Sequence, residues 1–427
     1  MTVAIFPALL RAFGCLCMMA ILGATIYAIL DHRGLGLDFA NFYDAGRKAW
    51  HGELNTLYDP MASIDGQPPF GNMLFFSAPV SSYLFAPFGI LEPIPAALSF
   101  MTLGAVCMFC GLGLLYYRNR PPHWETPYKK AEFFALFFAA AMMFQPFWTV
   151  FQVGGQTTPA VFLMFVLALI AFERDRFGLT ALLYTAIVLI KPVFAPGACL
   201  LFLFAPWPFR FWSLAIGLTA ICFSVLVAGW QVNLDFLNLM RERAGAILGI
   251  PYFNSHMFAW IEPMAITPSE YNVGALPSER LQLVSLLLRF AIVGWIVALM
   301  WRLSRIEAAP HAQRGMAILL SVLAALAFSP VVWSHYLMIF FIPLAHFLAR
   351  HDRFPRTVVA LVALAILAAP LQNFLILKQV VEALMPLSQG DLIFLTSAKS
   401  IVMLALMAAI LFWPSAALES FRTPVRR

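Results

Sequence analysis

Charged residues are scarce in this sequence of 427 amino acids. Only 11% of them are Asp, Glu, Lys or Arg, whereas 62% are hydrophobic. A soluble domain typically carries about 25% charged residues, so the chain has too little polar surface to coat a water-soluble globule. Apolar runs recur from end to end, which predicts a single all-α polytopic membrane domain over 1–427 with no separate soluble module.

The short motifs of many soluble enzymes are missing as well. There is no Walker loop, Rossmann glycine pattern, H-E-x-x-H or G-x-S-x-G, so a nucleotide or nucleotide-sugar site has no support. The eight histidines have no metal-ligand spacing, and we expect no metal and no cofactor. All six cysteines fall inside apolar stretches. The spacing Cys107-x-x-Cys110 is therefore interpreted as core packing rather than as a redox motif.

The apolar runs predict about twelve transmembrane helices. Their approximate bounds are 9–30, 94–117, 132–151, 158–172, 178–191, 193–205, 211–229, 281–301, 315–330, 336–349, 357–376 and 397–413. The pair of runs around Lys191-Pro192 is the least regular, because proline breaks or kinks a continuous helix. The first run lacks a clear cleavage site and is expected to be an uncleaved span.

The basic residues predict an orientation. Most of the 27 Lys and Arg residues lie in short clusters between apolar runs, which is how membrane proteins mark the cytoplasmic side and not a sign of nucleic-acid binding. Both termini are then cytoplasmic, and two long outer loops cover about 31–93 and 230–280. These loops are rich in aromatics and proline, so we expect short interfacial helices and the working face there.

Asp38 is the first candidate for chemistry, because it follows the first span almost directly, between Leu37 and Phe39. Partial desolvation at such a position raises the pKa of a carboxylate and makes it a better base toward a hydroxyl. The alternative is a structural cap on a helix predicted over 39–50, which ends before Gly52. Residue chemistry alone favours the cap.

A second candidate region covers residues 152–196. Gly154-Gly155-Gln156 predicts a tight turn that opens into a helix, and an ordinary interhelical turn is as well supported as contact between Gln156 and a substrate. Lys191 ends an apolar run, so its ammonium group must either reach the interface or find an anion such as a phosphate. Both interpretations of Lys191 stay open.

The third region covers residues 328–343, where Ser329-Pro330 breaks a helix. An imidazole at that depth is costly without a partner, so His335 has either a structural hydrogen bond or a substrate contact. Arg289 lies within an apolar run and should face the protein interior, seeking a carboxylate or a lipid phosphate.

In these regions the sequence resembles the polytopic glycosyltransferases of family 87, which have the GT-C architecture. The residues that carry the resemblance are Asp38, Tyr43, Ala45, Gly52, Leu57-Tyr58-Asp59, Gly155-Gln156, Lys191-Pro192, Ser329-Pro330, Trp333 and His335-Tyr336. They occur in matching order over about 38–345. One departure is Thr157, where the family often has Asn, and it puts an amide contact there in doubt.

The resemblance implies an inverting transfer of mannose or a pentose from a polyprenyl-phosphate donor to an envelope glycolipid or glycan. It also implies a site on the periplasmic face of a bacterial inner membrane. Asp38 matches the family's candidate general base and is then favoured over the cap. Lys191 would neutralise the donor phosphate, and His335 would contact the phosphate or the sugar. The further substrate-binding candidates are Gln156, Arg289, Tyr43 and Tyr58.

Other functional classes remain open at the level of sequence. A transporter or flippase of lipid-linked sugars would also need a basic intramembrane pocket, although the chain shows no internal repeat. A glycan ligase using a diphosphate-linked donor is a second alternative, and a catalytically inactive scaffold with the same fold is a third. Transfer of a labelled sugar into a new product would favour the enzyme over the transporter.

Overall fold

A computed structural model describes most of the protein. The described residues are 2–31, 38–59, 75–121, 125–144, 146–152, 155–244, 279–305, 310–329 and 334–363 without 358 and 361. Within these ranges the regular elements are helices and no strand occurs. The prediction of an all-α chain is confirmed for this part of the protein.

The α-helices are numbered in chain order. They are α1 (Thr2–Leu30), α2 (Phe39–His51), α3 (Ala86–Gly89), α4 (Pro93–Asn119), α5 (Pro127–Met143), α6 (Pro146–Gln152), α7 (Thr158–Glu173), α8 (Phe177–Ile190), α9 (Ala195–Phe204), α10 (Trp207–Ala244), α11 (Glu279–Ser304), α12 (Pro310–Phe328) and α13 (Leu337–Leu348). Short 3-10 turns occur at Leu54–Thr56, Pro79–Leu84, Pro192–Phe194, Ser334–Tyr336 and His351–Arg353. Proline opens several helices because its missing N–H costs nothing in a first turn.

Four helices in the described part of the chain are long and apolar enough to cross a bilayer. They are Ile5–Leu30, Pro93–Asn119, Trp207–Arg241 and Leu286–Ser304, and shorter apolar helices such as α7 and α8 pack among them. The chain is therefore a helical membrane protein. The count of twelve spans stays a prediction, because the segment 397–413, most of 357–376 and most of the outer loop 230–280 lie outside the described residues.

Two predicted spans differ from the helices observed. The run 132–151 is divided into α5 and α6, because Pro146 cannot continue the hydrogen bonding of α5 and begins a new helix instead. The run 211–229 continues as α10 to Ala244, but the backbone breaks at Gly229, where φ is 82° and ψ is 162°. The predicted end of that span therefore marks a real change of direction.

The described residues form two apolar clusters in the interior. The larger one joins α4, α5, α7, α8, α12 and α13 through interlocked rings, for example Phe341 against Phe137 and Phe147 with ring centroids 5.3 and 4.9 Å apart. The smaller one surrounds α2 and contains Phe39, Phe85 and Phe100. Because Phe39 follows Asp38 directly, this smaller cluster fixes the position of the carboxylate.

Candidate active site

Helix α2 begins directly after Asp38, as the sequence predicts, but Asp38 does not cap it. The Asp38 side chain makes no capping hydrogen bond to the first turn. Phe39 is fully buried, with its ring stacked on Phe100 at 4.8 Å and edge-on to Phe88 at 6.2 Å. The carboxylate is thus held in place by its neighbour and is not used by the helix.

The Asp38 carboxylate instead accepts a hydrogen bond from Gln156. Nε2 of the Gln156 amide donates to Oδ2 of Asp38. Gly155 permits this approach, since its φ of +73° suits glycine and a Cβ there would lie 2.8 Å from the Cβ of Phe39. The predicted turn before α7 therefore places its amide directly on the candidate base.

Burial changes the acidity of Asp38, which lies between α1 and α2 and outside the membrane-spanning helices. Desolvation raises the pKa of the Asp38 carboxyl to about 6, and the positive charge of Lys191 partly opposes that rise. At neutral pH the group is mostly ionised, yet it holds a proton far better than an exposed aspartate. Such a group is suited to general base catalysis.

Lys191 follows α8 and is buried, with 6% of its surface exposed. Its Nζ atom lies 4.3 Å from the centroid of the Tyr336 ring, and no carboxylate oxygen of the described residues forms an ion pair with it. Ser77 fixes the preceding backbone, because its Oγ donates to the carbonyl of Ile190 at 2.6 Å. The side chain does not reach solvent, so of the two interpretations the search for an anion fits the geometry better.

The turn Ser334–Tyr336 completes the cluster. His335 is buried, and its ring lies edge-on to that of Tyr336 with centroids 4.6 Å apart. Tyr336 in turn lies beneath the ammonium of Lys191. Four separate segments of the chain thus bring Asp38, Gln156, Lys191 and His335 to one end of the helices.

Three other predicted residues have different surroundings. The hydroxyl of Tyr43 donates to the carbonyl of Leu91, and that of Tyr58 donates to the carbonyl of Ser77, each at 2.8 Å. Arg289 is half-buried on α11, which packs mainly against α12 and α9. Substrate contacts by these residues stay predictions. Trp333 and Pro330, which contributed to the resemblance, lie outside the described residues.

Sequence reasoning missed two contributors to the cluster. Tyr336 contributed to the family resemblance but was assigned no role, although its ring centroid lies 4.3 Å from Nζ of Lys191. No local pattern indicated Ser77. Its Oγ and the N–H of Ala78 nevertheless donate hydrogen bonds to the carbonyls of Ile190 and Leu189 at the end of α8. Its contact spans 113 positions, and no local pattern could reveal it.

The arrangement is that of a half-buried base beside a buried cation. A hydroxyl that approaches Asp38 can lose its proton there, while Lys191 can stabilise negative charge that develops on a leaving group. Among the described residues, no three His, Cys, Asp or Glu side chains gather closely enough to hold a metal ion.

Comparison with known families gives one match. The model of glycosyltransferase family 87 matches residues 75–330, which is more than half of the chain. The matched range includes Gln156 and Lys191, whereas Asp38 precedes it and His335 follows it. No curated protein matches the sequence.

Proposed function

Because the chain belongs to glycosyltransferase family 87, we propose that it transfers a sugar from a polyprenyl-phosphate donor to an envelope glycolipid or glycan. One observation carries the proposal. A half-buried carboxylate, bonded by the neutral amide of Gln156, lies close enough to the buried cation of Lys191 for their charges to interact. Mannose or a pentose is the sugar that the family resemblance favours.

The proposed reaction is a single displacement at the anomeric carbon. An acceptor hydroxyl gives its proton to Asp38 as its oxygen bonds to the anomeric carbon. The bond from that carbon to the phosphate oxygen breaks, and the electron pair leaves with the lipid phosphate. Attack from the face opposite the leaving group inverts the configuration of the sugar.

Asp38 is well suited to this role on geometric grounds. Its hydrogen bond from Gln156 uses Oδ2, which leaves Oδ1 to accept from an acceptor hydroxyl in the proposed reaction. The amide also favours the ionised form that accepts the proton, because a hydrogen-bond donor stabilises a carboxylate. Gln156 is therefore proposed to orient the base rather than to bind the sugar.

Lys191 and His335 are proposed to receive the donor. A buried ammonium without a carboxylate partner among the described residues is stabilised when a lipid phosphate arrives. The charge on the phosphate grows as the bond to the sugar breaks, so the same contact lowers the barrier of the reaction. His335, beside Lys191 across the Tyr336 ring, would contact the phosphate or the sugar.

The orientation proposed from the charges places this site at the periplasmic face of a bacterial inner membrane. Arg118 and Asn119 end α4, and Arg174 and Arg176 follow α7, at the helix ends remote from Asp38. Basic residues concentrate on the cytoplasmic side of membrane proteins. A donor and an acceptor carried by lipids would then meet Asp38 from the outer leaflet.

The test is transfer of radiolabelled sugar in membranes that contain the full-length chain. A panel of polyprenyl-phosphate sugars is offered to the wild-type protein and to Asp38→Asn at equal expression. Label should enter a new glycolipid or glycan with wild type alone. Label that crosses the bilayer without entering a covalent product would show a transporter instead, and transfer by Asp38→Asn at the wild-type rate would remove Asp38 as the base.

A further inference from the structure

Two buried hydroxyls lie beside the candidate active site. The side chains of Thr157 and Thr158 are 4% and 0% exposed, and neither hydroxyl has a hydrogen-bond partner among the described residues. Other threonines on the helices satisfy this need locally: Thr25 and Thr180 donate to carbonyls four residues earlier. Thr157 and Thr158 have no helical turn before them, because α7 begins at Thr158.

The same residues form the amino-terminal turn of a full-length helix. Helix α7 has 16 residues, and Thr157 at its start makes no side-chain capping bond. The first N–H groups of a helix lack partners within it, and the helix dipole places a partial positive charge at this end. An anion is the natural ligand for such a turn, and two buried hydroxyls add donors that need acceptors.

Lys191 lies at the same end of the structure. Helices α7 and α8 have 16 and 14 residues and are joined by residues 174–176, so the end of α8 returns to the start of α7. Gln156, directly before Thr157, bonds Asp38, whose charge interacts with that of Lys191. The same end of the α7–α8 pair therefore contains a helix amino terminus, two hydroxyls without a hydrogen-bond partner among the described residues, and a buried ammonium.

We infer that the first turn of α7 is a phosphate-binding site in which Thr157 and Thr158 donate their hydroxyls to phosphate oxygens opposite Lys191. The inference rests on the proposed function, because the phosphate is that of the polyprenyl-phosphate donor. When the bond from sugar to phosphate breaks, the electron pair moves onto an oxygen that these donors contact. The amino-terminal turn and both hydroxyls then share with Lys191 the charge that appears.

The test measures binding of radiolabelled polyprenyl phosphate, the leaving lipid, to the full-length protein in nanodiscs, so it does not need transfer. The Thr157→Val and Thr158→Val changes together should weaken binding at least about tenfold, which corresponds to a loss of roughly 1.4 kcal/mol. The matched Ser variants keep the hydroxyls and should bind as wild type does. Thr180→Val is the control, since it removes a buried hydroxyl at the far end of the hairpin.

Competition identifies the chemistry that is recognised. Unlabelled phosphatidate and inorganic phosphate are added separately as competitors, and the melting temperature of each variant is recorded. Competition by phosphatidate that weakens in the same Val variants supports a site that reads phosphate on a lipid. If inorganic phosphate competes equally well, the source is free phosphate, and the assignment to a lipid donor is overturned.

The outcomes separate this inference from the proposed function. Equal binding by wild type and the double Val variant overturns the threonine site while leaving Asp38-dependent transfer intact. A wild-type protein that binds no polyprenyl phosphate overturns both. Loss of binding in the Val variants, rescue in the Ser variants and no effect of Thr180→Val establish the site, even if the protein transfers no sugar from any donor tested.

Discussion

Two groups of charged residues at opposite ends of the helices differ in how they are partnered. At the end remote from Asp38, Arg118 of α4 bonds both carboxylate oxygens of Glu173 on α7, and Arg314 of α12 lies 2.5 Å from Asp175. At the other end, the Asp38 carboxylate is bonded by a neutral amide, and Lys191 lies over an aromatic ring. Arg118 and Arg314 are thus paired with carboxylates, whereas Asp38 and Lys191 lie near each other without an ion pair between them.

The difference separates stabilising groups from groups kept for a ligand. Paired charges between α4, α7 and α12 hold helix ends together, and a partner removed from such a pair leaves an uncompensated charge. Buried charges that are not paired are costly and are seldom retained in membrane proteins without a functional reason. Equivalent substitutions of the paired and of the unpaired groups should therefore have opposite consequences for activity and for stability.

The largest effect is expected from isosteric replacement of the two carboxylates. Asp38→Asn should lower transfer by about a hundredfold to ten-thousandfold, the usual range for loss of a general base, with little loss of stability. Glu173→Gln should leave transfer per folded molecule unchanged but lower the free energy of unfolding by roughly 1–3 kcal/mol. That cost is below the range for fully buried pairs, because Arg118 and Glu173 are partly exposed. Transfer assays and thermal unfolding in detergent measure both quantities.

The distinction between paired and unpaired groups would be contradicted if Glu173→Gln removed transfer without destabilising the protein, or if Asp38→Asn unfolded it. Asp44→Asn is a useful additional control. Asp44 lies on the same helix as Asp38 but is paired with Lys48 at 2.8 Å. Asp44→Asn should therefore lower the free energy of unfolding and leave transfer per folded molecule unchanged, as is expected of Glu173→Gln, although Asp44 lies at the same end as Asp38.

Removal of the unpaired cation should have the next largest effect. Lys191→Ala should lower kcat/KM for the lipid donor by about a hundredfold, because one electrostatic contact to a developing anion is worth that order. The KM for the acceptor should change little. Lys191→Arg keeps the charge and should retain part of the activity, although a planar guanidinium does not fit the site of an ammonium. Steady-state kinetics with each substrate varied in turn provide the measurement, and an unchanged donor dependence in Lys191→Ala would contradict the role in phosphate binding.

Much of the fold could be predicted because it depends on local patterns. Apolar runs predicted α1, α4 and α7 within a few residues at most ends, and proline marked helix starts. The helix after Asp38 was predicted over 39–50 and observed as Phe39–His51, with Gly52 in the left-handed conformation at its end. The prediction of one continuous span over 132–151 was wrong, because α5 ends at Met143 and Pro146 begins a separate helix.

The site could be predicted only as separate pieces. Asp38, Gln156, Lys191 and His335 stood out because polar groups beside apolar runs are costly, and each had an open structural alternative. Their assembly depends on packing between distant segments, such as the bond from Gln156 to Asp38 across 118 positions. The aromatic support of Lys191 by Tyr336 was missed for the same reason, since no spacing in one sequence encodes it.

A smaller and more specific effect concerns the acidity of the base. Activity should fall as the pH drops through the Asp38 pKa of about 6, because the protonated carboxyl cannot accept a proton. Gln156→Leu removes a donor that favours the ionised form, so it should raise that pKa and move the acidic limb to higher pH. The profile of kcat/KM against pH tests this, with Thr180→Val as a variant that should keep the wild-type limb. An acidic limb at the same pH in Gln156→Leu would mean that the amide does not govern the ionisation of Asp38.

The smallest effect is expected where backbone packing supports each cluster. Gly155→Ala should reduce transfer several-fold, because its new Cβ would displace Phe39, the neighbour of Asp38. Gly315→Ala would instead press on Glu173 and on Nη2 of Arg118, which would lie 3.1 Å away, so it should lower stability and spare transfer. Gly52→Ala tests the cost of the backbone conformation by itself. The φ of Gly52 is +75° and the space around it is open, so the change should lower the free energy of unfolding by about 1–2 kcal/mol without affecting transfer. If Gly155→Ala matched Gly52→Ala in both assays, contact with Phe39 would not position the base, and the separation between the two ends would rest on the charged side chains alone.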